Sequence, residues 1–366
     1  MVMDAPSLQL QETLNGSIQK ALLSRRPILT HLNADTSWLL QLPYPPDAER
    51  PPGRSRWNIV FDPWLTGGQS DVAYWFSQQW HAIASSVQTM AELNDLLREL
   101  ESMAQLGASV LGSENQDYFD QDPKRSYIDA VVVSHEFTDH CNKDTLLELN
   151  SDTPVFATKF AADLIRSWNH FSLVQETPPF SATDSDWRNT SLNPLPKWLG
   201  ISRMVTLSDA LYYHSAILVT FDLCSIDAKG PAEILRTAEA IIYTPHGIHA
   251  KDLSHLLSAT PAVKTLALLH GLHDIKVSVK QLNLGAHNGL QAQRMCQAKY
   301  WVSTHDEIKK GSGLITPFLY RRVLTLQEAI EEERRATGRI SDESELSDVR
   351  EVAFEELRSG ESLLLV

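Results

Sequence analysis

Cysteine is scarce in this chain: Cys141, Cys224 and Cys296 are the only three in 366 residues. An odd and sparse set does not make a disulfide framework. It fits free thiols in a reducing compartment, so a cytoplasmic location is expected. Long apolar runs are also missing. Stretches such as Ala130-Val131-Val132-Val133 and Leu266-Ala267-Leu268-Leu269 fall far short of the roughly 20 residues a membrane-spanning helix needs, and residues 1–30 hold no apolar core of a secretion signal. Basic excess is lacking as well. Against 46 Asp and Glu stand 32 Lys and Arg, a net charge of -14. That balance argues against a nucleic-acid partner, because phosphate backbones are bound by clustered Lys and Arg. Repeats and low-complexity segments are absent. What remains is a chain of 43% hydrophobic residues, enough to bury one large core or two small ones.

Periodicity places the elements. Residues 36–43 (TSWLLQLP) and 57–62 (WNIVFD) read as two strands joined by a long Pro-rich loop. Between residues 69 and 112 the spacing of Leu93, Leu96, Leu97, Leu100 and Met103 predicts a helical insertion, whose apolar stripe suits core or a homodimer surface better than a lid. After a turn-rich stretch at 112–125, Ile128 to Val133 is rich in β-branched residues and reads as a buried strand. Strands at 154–157, 215–222, 239–244, 264–269 and 300–303 then alternate with helices at 159–168, 231–238 and 289–298, which is the grammar of an α/β chain. Another helix starts near Thr325, and residues 321–366, rich in acids, read as an exposed helical extension.

One segment concentrates chemistry. His135, Glu136, Asp139, His140 and Cys141 follow directly on the buried strand that ends at Val133. Strand ends are where α/β proteins place ligands, and His with Asp supplies nitrogen and oxygen donors for Zn²⁺ or Fe²⁺. His214 precedes a strand, and His246 and His305 each follow one, so these imidazoles can converge if the strands share a sheet. Tyr213, Phe137, His270 and His287 are candidate pocket residues. Cys141 has no base specified beside it and reads as packing.

Taken in order, these segments resemble the metallo-β-lactamase fold superfamily, in particular the branch containing ascorbate-6-phosphate lactonase and N-acylphosphatidylethanolamine phospholipase D. The matching pieces are the Asp-Pro turn at Phe61-Asp62-Pro63-Trp64-Leu65-Thr66-Gly67, the motif His135-Glu136-Phe137-Thr138-Asp139-His140, the Thr-Pro-Val-Phe-Ala-Thr run at 153–158, His214, the turn Thr244-Pro245-His246-Gly247, and Trp301-Val302-Ser303-Thr304-His305-Asp306. The resemblance spans residues 36 to about 320. It implies a four-layer αββα sandwich of residues 1–320, including the 69–112 insertion, and a metal site drawn from His135, Asp139, His140, His214, His246 and His305.

Two positions depart from that family's pattern. Phe137 stands where a second His belongs, and His246 stands where a metal-bridging Asp belongs. A neutral imidazole offers one lone pair and cannot bridge two ions, so a single ion is expected, Zn²⁺ with Fe²⁺ or Mn²⁺ as alternatives. Four protein ligands would close a tetrahedral ion, which leaves His246 as ligand or as acid/base residue. Asp139 carries the charge of the set, Glu136 or Glu307 could serve as base, and Asp62 could orient a ligand His from behind. Three functions remain open on these residues: a hydrolase of a small-metabolite ester, thioester, lactone or amide; a metal-free or structurally metallated binding protein of the same fold; and an isomerase, lyase or cyclase.

Overall fold

The computed structural model describes residues 18–70, 73–110, 125–181, 183–205, 213–224, 237–314, 316–337 and 353–366. Two large sheets form its centre. The first runs, in spatial order, Ser362–Leu364, Ile28–His31, Trp38–Pro43, Arg56–Phe61, Ala130–Val133, Val155–Ala157 and Val174–Glu176. The second runs Ala353–Glu355, Tyr300–Val302, Val263–His270, Ala238–Thr244, Ser215–Phe221 and Leu199–Val205.

Alternation along each strand dictates how these sheets are covered. Ala130 and Val132 face a core shared with the second sheet, where they meet Ile217, Val219, Ile241 and Tyr243. Their neighbours Val131 and Val133 face the other way, against Leu93 and Leu97 of the helix Met90–Val110 and Ala161 and Ile165 of the helix Lys159–Ser167. In the second sheet Ala240, Ile242 and Leu268 turn outward to Leu253 of the 3-10 segment Ala250–Ser258 and to Ala292 of the helix Ala286–Cys296. Strands buried on both faces read as continuous apolar runs, which is why they stood out in the sequence. The layers are therefore helix, sheet, sheet, helix: a four-layer αββα sandwich.

Parallel pairing fixes one rim of this sandwich. Arg56–Phe61 pairs in parallel with Ala130–Val133, and Ala238–Thr244 with Val263–His270, which in turn pairs in parallel with Tyr300–Val302. Their C-terminal ends thus emerge together, followed by Asp62, Ser134 to His140, His246 and His305.

The structure departs from expectation in three places. The stretch from residue 69 is not helical throughout: Gly68–Gln69 and Gln78–Trp80 are strands that form a small sheet with Lys310–Ser312, and the helix begins only at Met90. Beyond the expected helix Leu326–Thr337, the acidic end supplies Ala353–Glu355 and Ser362–Leu364 as edge strands of both sheets. Three-residue strands carry no readable period, so composition alone pointed to helix. Ile28–His31, Leu199–Val205 and the hairpin of Asp274–Val277 with Lys280–Asn283 were also not anticipated. Of the helix expected at 231–238, residues 231–236 lie outside the described residues.

Candidate metal centre

Three imidazoles converge at the rim. The ring of His140 lies 4.8 Å from that of His246 and 5.1 Å from that of His305, and His246 lies 5.1 Å from His305. One nitrogen from each falls within 4.8 Å of the others. All three residues are buried.

Each ring is held from behind through Nδ1. His140 Nδ1 donates to Asp62 Oδ2 at 2.7 Å, His246 Nδ1 to Asn283 Oδ1 at 2.9 Å, and His305 Nδ1 to Asp35 Oδ1 at 3.0 Å. A proton at Nδ1 leaves the lone pair on Nε2, facing the common centre. His140 Nε2 and His246 Nε2 are buried there without a hydrogen-bond partner. Asp62 is itself locked, accepting from Ser134 N and from the Tyr243 hydroxyl, both at 2.7 Å. Both Asp62 (φ 41°) and His305 (φ 60°) adopt left-handed backbone, a conformation that costs a non-glycine residue about 1–3 kcal/mol and that here turns each side chain inward.

Electrostatics at this centre favour a cation. Asp139 lies with Oδ1 3.7 Å from His140 Nε2 and Oδ2 3.9 Å from His305 Nε2. Burial works against a charged His140, but Asp139 and Asp62 outweigh it and raise its pKa. Burial and the neighbouring imidazoles hold His246 well below its ordinary range, keeping it neutral. Asp35 falls far below the usual carboxylate range: burial opposes this, and His305 and Lys309 overcome it. Lys309 reaches into the same cluster, its Nζ 2.6 Å from Asp35 Oδ2 and 2.7 Å from Asp139 Oδ2.

The remaining sequence candidates fall into two groups. His135 is near the centre, 5.3 Å from His246, but its ring stacks on Phe137 at 4.2 Å and 9° and on Tyr213 at 5.4 Å. Aromatic packing therefore fills that flank. Glu136 sits half-buried with Oε2 3.0 Å from His135 Nδ1, off the line of a hydrogen bond. The others make different contacts. His214 neighbours His249, ring to ring at 5.7 Å, and belongs to neither group of clustered donor atoms among the described residues. His270 is bonded to Gly271 O and Asn288, and His287 pairs with Glu332 on the surface. Glu307, offered as a base, instead accepts from Ala82 N, Ile83 N and His81. Cys141 is buried, and burial pushes its thiol far up, away from a reactive thiolate.

Sequence reasoning missed Asp35, Asn283 and Lys309. Asp35 sits in the turn between the strands Ile28–His31 and Trp38–Pro43, where Asn33 Oδ1 accepts from Asp35 N at 2.8 Å and Ser37 N at 2.9 Å. Its backbone carbonyl accepts from His305 N at 2.9 Å. Only the sequence Asn33-Ala34-Asp35, a turn signature, marked the spot.

No family model and no curated protein matches the sequence, whereas the fold is similar to that of solved structures. The chain is similar to a possible metal-dependent hydrolase from Veillonella parvula, at 11% identity over 93% of this chain and 100% of that one, with a TM-score of 0.50. It is also similar to an isothiocyanate hydrolase from Delia radicum gut bacteria, at 14% identity over 92% and 99% of the two chains and a TM-score of 0.49. A third similar structure is the metallo-β-lactamase fold protein YhfI from Bacillus subtilis, at 9% identity over 92% and 99% and a TM-score of 0.42. At 11% identity and a TM-score of 0.50, the likeness to the Veillonella parvula protein is one of fold.

Proposed function

We propose that the chain is a metal-dependent hydrolase, related to the lactonase and phospholipase D branch of this fold, that uses one dication to cleave an ester, thioester, lactone or amide of a small metabolite. The observation that carries this is the aim of His140, His246 and His305, three imidazoles anchored at Nδ1 and presenting Nε2 to one point. An unpartnered buried nitrogen costs about 1–3 kcal/mol, and two stand at this point. A metal ion satisfies both, so the donor set fits such a group.

His140, His246 and His305 would hold the ion, with Asp139 as the oxygen donor. Three nitrogens and one oxygen suit Zn²⁺, with Fe²⁺ or Mn²⁺ as redox-capable alternatives. A bound dication supplies Lewis acidity toward a carbonyl and toward an attacking water. The protein's part is orientation and exclusion. Asp62, Asn283 and Asp35 fix the imidazoles, and His246 acts as ligand instead of acid/base residue. Phe137 and Tyr213 keep water from one flank and offer an apolar wall to the acyl part of a substrate. Glu136, beside His135, would accept a proton from the attacking water.

A second reading is a binding protein with a structural ion or none, favoured by the Phe137–His135–Tyr213 stack, which replaces part of a metal site with aromatic rings. Metal analysis of the purified protein after supplementation with Zn²⁺, Fe²⁺ or Mn²⁺, together with turnover of ester, thioester, lactone and amide panels with and without chelator, separates the two. A hydrolase binds close to one ion, loses it in His305→Ala, and hydrolyses at least one class in a chelator-sensitive way. A bound ion with no turnover favours the binding protein, and substoichiometric metal in the wild type removes the hydrolase.

A further inference from the structure

The second cluster of metal-ligating atoms, on Asp35, Asp139 and His305, already holds a cation that belongs to the chain. Lys309 follows His305 by four residues, and its Nζ contacts both carboxylates at 2.6 and 2.7 Å. The side chain is 4% exposed and that of Asp35 0%. On its open side the ammonium is 5.1 Å from the centre of the Trp64 ring, whose face attracts a cation. An ammonium removed from water to this extent is retained only where fixed negative charge compensates it.

The local charges also balance in a particular way. Among the described residues, Asp35, Asp62 and Asp139 are the carboxylates in contact with the three clustered imidazoles. Lys309 offsets one of the three negative charges, leaving two, which a single dication neutralises when the imidazoles are uncharged. Without the ammonium, three negative charges would remain and a second cation would be needed. We infer that Lys309 is a built-in substitute for a second metal ion: its ammonium occupies the place where the carboxylates of Asp35 and Asp139 would otherwise gather a dication beside the first, and it thereby limits the centre to one. The ammonium has no lone pair to ligate a metal, so it can only compete with one. It also holds Asp139 in position, since Oδ2 is engaged by Nζ and Oδ1 is left toward His140.

This inference rests on the proposed hydrolase site only for the identity of the first ion. Its test is Lys309→Met, similar in length and uncharged, with bound Zn²⁺ measured by elemental analysis after dialysis and by competition with a chromophoric chelator. The variant should bind one equivalent more than the wild type, and Lys309→Met combined with Asp35→Asn should return to the wild-type value. A folded Lys309→Met that binds no more Zn²⁺ than wild type overturns the inference. If Lys309→Met does not fold alone, added Zn²⁺ or Mn²⁺ should restore its cooperative melting, as should the added Asp35→Asn. Restoration by neither also overturns it. Because the increment over wild type is what is read, a wild type without any ion would defeat the hydrolase proposal while a rise from none to one would still support the role of Lys309.

Discussion

Asn283 gives His246 its direction, since the amide oxygen fixes the Nδ1 proton and leaves the opposite nitrogen for a ligand's work. Replacing an outer partner of a metal-bound imidazole typically weakens metal affinity by about 10–100-fold, so Asn283→Leu should lower Zn²⁺ affinity by that order with little change in fold. Chelator competition checks it, and an unchanged affinity would remove His246 from the ligand set. Phe137 bears on the opposite flank. Phe137→His places an imidazole beside His135 and should raise bound Zn²⁺ toward a second ion. The gain should be weak, because His214 lies beside His249 and His246 cannot bridge. Adding His246→Asp should strengthen it; a folded double variant with wild-type Zn²⁺ content would mean that positions 137 and 246 do not correspond to the family's ligands. His135, Asp139, His140, His246 and His305 were legible because each stands just past a strand end. Asp35, Asn283 and Lys309 were not, since a charged or amide residue in a turn, a loop or a short strand looks like any solvated surface group until tertiary structure turns it inward. His214 stands outside the clustered donor atoms among the described residues, and adjacency to a strand does not tell where a ring lies.

At the scale of elements, the helix Ala286–Cys296 lies so close to the second sheet that Gly289 admits no side chain. A Cβ there would sit 2.3 Å from the Trp301 ring and 3.1 Å from His270 Nδ1. Trp301 lies in the strand that leads to His305 and is fully buried, with its indole N–H bonded to His270 O at 2.9 Å. Ala has the higher helix propensity, by about 1 kcal/mol. Gly289→Ala should nonetheless destabilise, because overpacking a filled core typically costs about 1–3 kcal/mol and Trp301 has no room to yield. Denaturant titration gives the sign, and a stabilised variant would show that the helix can shift. Strands with both faces buried, such as Ala130–Val133 and Ala238–Thr244, were readable as apolar runs, and the helix at Met90–Val110 as a three-and-four spacing. The edges were not. Ala353–Glu355 and Ser362–Leu364 acquire strand geometry by pairing with Tyr300–Val302 and Ile28–His31, and nothing in three residues announces a partner some 50 or 330 positions away.

Across the whole molecule, the last fourteen residues link the two sheets at the rim that carries the metal centre. Ala353–Glu355 extends the second sheet beside Tyr300–Val302, and Glu355 O accepts from Ser303 N at 2.9 Å, two residues before His305. The chain then crosses over: Leu357 O accepts from His31 Nδ1 at 2.6 Å, and Gly360 N donates to His31 O at 2.7 Å. Ser362–Leu364 completes the edge of the first sheet, and Leu365 is fully buried in the core between the sheets. Its N–H donates to Pro27 O at 2.9 Å, next to the strand that leads into Asp35. The segment therefore braces both the turn that supplies Asp35 and the loop that supplies His305 and Lys309. Leu365→Ala leaves a void between two rigid sheets, and truncations of this kind cost about 2–5 kcal/mol; a lower melting temperature with metal content preserved is expected, since the variant keeps its backbone pairing. Ending the chain after Thr337 removes that pairing too, and should lower Zn²⁺ affinity as well as stability, because the elements behind His305 lose their neighbour on one side. Calorimetry with parallel metal analysis distinguishes these outcomes. A truncated chain that melts at the wild-type temperature and holds the same Zn²⁺ would show that the two central sheets and their metal centre are complete without their C-terminal strands.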